Sequence, residues 1–145
     1  MNPSLTLDRC VVRGTHAHKG RTRSLDPTTT AAKQLHYGRV VLDGADSPLR
    51  FPTGHLETGL IALRGRAEVK TGGRSFPMGP YDALYVPRDS EVEVRPGPEG
   101  CDLAEVAAPV EKTYPLQFVA WADVQKDPGL HFKAGAPPTE RMLNI

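Results

Sequence analysis

Cysteine is scarce: the 145-residue chain has two, Cys10 and Cys101, and neither belongs to a Cys-x-x-Cys or other close pair. That excludes a zinc knuckle or a dithiol redox site built from neighbouring cysteines, and both are expected to be buried thiols. Long apolar runs are missing as well. Nothing approaches the roughly 20 residues of a membrane span, and the start MNPSLTLDR lacks the basic-then-apolar order of a secretory leader. A cytoplasmic protein with no membrane partner is the expectation. Net charge is nearly absent, with 18 Lys and Arg against 17 Asp and Glu, so there is no bulk attraction to nucleic acid, and no nucleic-acid partner is expected.

What the chain does have is glycine and proline, 14 of each, which favours many short elements joined by tight turns. Its length suffices to bury a core without a disulfide or a structural metal. All-β is therefore the expected class. Charge is unevenly spread. Arg9, Arg13, Lys19, Arg21, Arg23, Lys33 and Arg39 face only Asp8 and Asp26, while Glu91, Glu93, Glu99, Asp102, Glu105 and Glu111 follow later. Two readings stand: a basic arm folded over an acidic rim or a neighbouring subunit, and solvated surface charge, the preferred one.

Residues 5–12 (LTLDRCVV) suggest a short strand, and the polar stretch after it a loop or arm, with a brief helical turn opened by Asp26-Pro27. From Leu35 the pattern changes to closely spaced strands: LHYGRVVL, PLRF, GLIALRGRAEV, RSFPM, DALYVP, SEVEVRP and CDLAEVAAP. Turn formers separate them, among them Asp43-Gly44, Thr71-Gly72-Gly73, Pro87-Arg88-Asp89 and Pro96-Gly97-Pro98. Such spacing argues for a sandwich or small barrel. Beyond Pro109, TYPLQFVAW reads as one more strand, ADVQKD as a helical turn and LHFKAG as a short extended piece. The tail PPTERMLNI is apolar, so it either packs back or continues further. The organisation expected is an N-terminal strand and basic arm over 1–34, a barrel core over 35–110 and an extension over 111–145.

The run GLIALRGRAEV, a glycine-bearing turn, RSFPMGPYDALYVP and a final strand resembles the cupin-type antiparallel β-barrel, or jelly roll. With Gly65 and Pro87 as the anchoring residues of its two motifs, the four metal-ligand positions would fall at Phe51, Thr53, Thr58 and Val92. Phe and Val offer no donor and neutral Thr is a weak ligand, so no metal is expected in this chain. A one-residue slip would bring Glu57, Arg50 and Pro52 to ligand positions and still supply a single ligand. More particularly, TGHLETGLIALRGRAEV, DALYVPRDSEVEV, CDLAEVAAPVEKTYP and PPTERMLNI, over residues 27–145, resemble the N-terminal half of the two-barrel 5-deoxyglucuronate and 5-keto-4-deoxyuronate isomerases. The resemblance implies aldose-ketose isomerisation of a sugar acid in inositol catabolism. It also implies a divalent zinc or manganese held only in a second barrel, and a homo-oligomer. The alternative is a free-standing, non-catalytic cupin that binds a small sugar acid or a partner protein.

Four residues are candidates for substrate binding. Glu57 is either a buried base or hydroxyl contact, or an exposed turn carboxylate. Tyr85 and Arg88 sit where an Arg fork would grip a carboxylate or, by preference, pin a turn. Arg141 would pair with a uronate or form an interdomain salt bridge. His16 and His18 form the chain's one His-x-His and read as surface histidines without a third ligand. Trp121, Tyr114, Phe118 and Phe132 read as core or interface.

Overall fold

A computed structural model describes residues 11–144. The described residues form ten strands and one helical turn: β1 (Gly20–Leu25), β2 (His36–Leu42), β3 (Leu49–Pro52), β4 (Leu56–Thr71), β5 (Arg74–Met78), β6 (Ala83–Val86), β7 (Glu91–Pro109), β8 (Gln117–Val119), α1 (Trp121–Val124), β9 (His131–Ala134) and β10 (Arg141–Asn144). The class is all-β, as expected. Eight strands join in antiparallel pairs along the path β1-β2-β7-β4-β6-β8, with β3 on β7 and β5 on β4, and β9 pairs with β10 separately.

The long strands β4 and β7 hold the architecture together because each pairs with three others, β4 with β5, β6 and β7, and β7 with β2, β3 and β4. Thr58 to Gly65 pair with Ala107 to Cys101, and Ala67 to Lys70 pair with Pro96 to Glu93, with register breaks between. Strands that switch sheets turn their corners at such irregularities. Gly65 sits at the corner with φ +71°, where an added Cβ would run into the Gly100 carbonyl. The anchoring role expected of Gly65 thus has a steric basis.

Period-two alternation builds the core. Leu56, Thr58, Leu60 and Ala62 on β4 are buried, as are Leu84 and Val86 on β6 and Val92 and Val94 on β7. Val40, Leu42, Phe51, Ala67, Val69, Phe76, Met78, Cys101 and Leu103 join Leu60, Ala62, Leu84, Val86, Val92 and Val94 in one apolar cluster. Cys101 is the buried thiol expected. Cys10, like residues 5–10 of the anticipated first strand, lies outside the described residues.

Several expectations need correction. The polar stretch read as a loop contains β1, which pairs with β2 from Gly20↔Val41 to Leu25↔Tyr37. Its inward residues are arginines, so the apolar alternation that marks a strand is absent. Nor is the basic charge there merely solvated surface charge: Arg21 pairs with Glu105 and Arg39 with Asp102, both acids buried. Pro96-Gly97-Pro98 does not reverse the chain, because β7 bulges outward and returns to the same partner strand. The brief turn opened by Asp26 is present but ends sooner than Ala32: its carboxylate accepts from the Thr28 and Thr29 amides and its carbonyl from the Thr30 amide, with no helix following. Phe118 packs on Phe76 at 5.6 Å and Trp121 on Tyr81 at 5.6 Å, but Tyr114 and Phe132 are exposed and not core. The apolar tail forms β10 against β9 and leaves Met142 and Leu143 exposed.

Candidate functional site

The four positions that a metal-binding cupin would use are part of the packing here. Phe51 and Val92 are register partners across β3 and β7, and both are buried with Thr53 and Thr58. The Thr53 hydroxyl is fully occupied, donating to the Pro87 carbonyl at 3.0 Å and accepting from the Ser90 amide at 2.9 Å. This donor set does not fit a divalent ion. Among the described residues, no three His, Cys, Asp or Glu side chains converge as a metal site, and His16 and His18 are exposed.

Of the four sequence-predicted site residues, two come together. Glu57 and Tyr85 project from the outer faces of β4 and β6, because their neighbours Leu56, Thr58, Leu84 and Val86 take the inner face. The Tyr85 hydroxyl donates to Glu57 Oε2 at 3.0 Å. Burial, and then this hydrogen bond and the Glu57 charge, push the Tyr85 phenol up to about 12, so it keeps its proton well into the alkaline range. The pair borders an open groove of about 380 Å³ with Tyr114, Leu116 and Gln117. An aromatic face, a phenol, a carboxylate and an amide suit sugar hydroxyls, but no cation lines this groove.

Arg88 is elsewhere and already engaged. Its guanidinium donates to Asp89 at 2.8 Å, to the Val110 carbonyl at 2.6 Å and to the Glu111 carbonyl at 3.3 Å, which pins the 87–90 turn to the end of β7. Arg141 is exposed in the β9–β10 hairpin.

A second constellation was missed from sequence. On the inner face of β7, where Leu103 and Ala107 are apolar, Glu105 is 2% exposed. Arg21 grips it with two bonds, Nε to Oε2 at 2.8 Å and Nη2 to Oε1 at 2.6 Å, and stacks its guanidinium 3.9 Å from the Phe51 ring centre. Arg23 adds a 3.2 Å bond to Oε1 and lies 3.4 Å from His36 Nδ1. Burial first, and then the Arg23 charge, lower the His36 pKa. The signal available in the sequence was Arg21-x-Arg23, two arginines that share one face of any strand, opposite an acid inside the apolar run CDLAEVAA.

Residues 10–132 match the KduI/IolB family. The chain belongs to that family. A 4-deoxy-L-threo-5-hexosulose-uronate ketol-isomerase of Cereibacter sphaeroides is 30% identical over 124 residues, covering 75% of this chain and 43% of the relative. The chain therefore spans less than half the length of that curated relative. An IolB-like protein of Salmonella typhimurium superposes with a TM-score of 0.71 at 19% identity, over 86% of this chain and 49% of that one. The cupin domain of Schizosaccharomyces pombe Cnp3 gives 0.53 at 20% identity, over 62% and 64% of the two chains. A cupin protein of Bacteroides fragilis gives 0.53 at 14%, over 67% and 84%. The fold is of the cupin type, as its resemblance implied, and the KduI/IolB family it belongs to includes a sugar-acid ketol-isomerase. No described helix is long and apolar enough to cross a membrane.

Proposed function

We propose that this KduI/IolB chain serves the ketol isomerisation of a deoxy-uronate, of the 5-deoxyglucuronate type met in inositol catabolism, as a barrel that binds the sugar acid without itself holding the metal. Ketol isomerisation moves a proton between adjacent carbons of the substrate. The zinc or manganese expected in such enzymes would belong to a second barrel, on another segment or in a partner subunit. The single observation that supports this reading is the Phe51, Thr53, Thr58 and Val92 set, whose side chains fill the interior where ligands to a metal would stand. Family membership supplies the substrate class. The alternative, a free-standing binder of a small sugar acid, shares the binding step and differs in having no catalytic companion.

The test is to incubate the purified chain with 5-deoxyglucuronate or 4-deoxy-5-hexosulose-uronate, with and without added zinc or manganese. Following both the bound and the isomerised sugar by NMR is expected to show binding without conversion in every condition. Turnover by the chain alone, raised by metal, would overturn the proposal.

A further inference from the structure

We propose that the barrel end formed by β1, the start of β2 and the 53–55 turn takes the carboxylate of a monosaccharide uronic acid, with Arg23 as the residue that grips it. The inference rests on the sugar-acid reading above and places the acid group, which the Glu57–Tyr85 groove has no cation to receive.

The two arginines of β1 are not equivalent. Arg21 is spent: both prongs of its fork lie on Glu105 and its flat face covers Phe51. Arg23 meets a carboxylate already neutralised, at one longer contact of 3.2 Å. A guanidinium has five N–H donors. Apart from the Glu105 bond and the His36 contact, those of Arg23 find no acceptor among the described residues. A third of its side chain, 33%, is open to solvent. It is thus a partly exposed cation, tethered to Glu105 and with donors to spare, on a planar fork that can bind carboxylates bidentately.

Its mounting is specific. The β1–β2 register slips by one residue between Arg23 and Leu25, directly after the pair Arg23↔Gly38. Bulges of this kind re-aim a side chain. This one depends on Gly38, where a Cβ would collide with the Thr22 carbonyl. At the same barrel end, though not lined by Arg23 itself, a groove of about 340 Å³ is bordered by Gln34, His55, Arg88 and Glu111, at the small end of the ligand-pocket range of roughly 300–1,000 Å³ and suited to a monosaccharide. His36, in contact with Arg23, stands two residues beyond Gln34 and pairs with Ala107, two before Pro109 of the same groove. Gln34 and His55 offer hydrogen bonds to hydroxyls. Arg88 is occupied by Asp89 and two carbonyls. Glu111 places negative charge on the exposed rim, which orients a uronate with its acid group away from it and toward Arg23.

The experiment titrates the full chain with D-glucuronate, and with D-glucose as the neutral control, by calorimetry and by amide chemical shifts. Native chain is expected to prefer glucuronate. Arg23→Gln is expected to weaken glucuronate at least tenfold, leave glucose unchanged and keep the thermal midpoint within a few degrees, whereas Tyr85→Phe spares the preference for the acid. In the native chain, which needs no variant, the glucuronate-specific shifts are expected at residues 22–24, 34–38 and 54–56. Shifts confined to 114–117, or a loss with Tyr85→Phe but not with Arg23→Gln, overturn the inference while leaving the sugar-acid reading in place. No saturable glucuronate binding to the native chain overturns both.

Discussion

Arg21 and Glu105, 84 residues apart in the chain, meet in a two-bond ion pair on the inner face of the barrel. Glu105 is 2% exposed, so Arg21 stands where water would otherwise solvate the carboxylate. Removing one member of a buried pair costs about 3–5 kcal/mol, whereas replacing both by apolar residues is often near neutral. Arg21→Met is therefore expected to lower unfolding stability by about 3 kcal/mol, at the lower end because Arg23 still reaches Oε1. Arg21→Met/Glu105→Leu is expected to recover most of it. Urea unfolding of the two variants checks this, and a single variant as stable as the native chain would show that the pair does not form.

Thr53 stands at an expected ligand position and is used instead as a brace. Its hydroxyl ties the end of β3 to Pro87 and Ser90. Thr53→Val keeps the shape and leaves the Ser90 amide without its acceptor, a loss of about 1–3 kcal/mol for a buried group. The effect is to be read from thermal unfolding and from faster hydrogen exchange at Ser90. An unchanged Ser90 exchange rate would sink the assignment.

Most of the barrel was legible because its strands alternate. Glu91 to Arg95 and Gly59 to Val69 were both placed as strands, although the second begins three residues earlier, at Leu56. β1 was not legible for a physical reason: its inward residues, Arg21 and Arg23, are charged, and a strand that buries ion pairs lacks the apolar period that identifies a strand. The same feature hid the missed cluster, since the partner of each arginine lies on β7, far off in sequence. Pro96-Gly97-Pro98 misled in the other direction. Turn chemistry there serves a bulge, which needs the same backbone freedom as a reversal. The grouping of site residues depended on facing: Glu57 and Tyr85 share the outer surface, and nothing local in the sequence separates them from Arg88 and Arg141.

His36 gives the fold an acid-side pH response. Burial first and then Arg23 disfavour its protonated form, and His55 adds to them more weakly, against the opposing charges of Asp26 and Glu105, so its folded pKa lies below the ordinary 6.5. As pH falls through 6.5 the unfolded chain takes up this proton before the folded one, and stability drops until the folded pKa is passed. Comparing urea midpoints at pH 8 and pH 5.5 is expected to show a smaller drop in His36→Gln than in the native chain. Equal drops would mean that other groups carry the response.

Tyr85 gives the opposite response on the alkaline side. Of the four tyrosines, this one is held protonated to about 12, by burial first and then by its bond to Glu57. Between its ordinary value of 10.0 and about 12 the unfolded chain loses the phenolic proton while the folded chain keeps it. The folded state then binds more protons, so stability contributed below pH 10 declines as pH rises through that window. Absorbance at alkaline pH is expected to show a late phenol ionisation, and Tyr85→Phe to remove that late step together with its share of the alkaline destabilisation. If the late step survives in Tyr85→Phe, the phenol beside Glu57 is not the one held back.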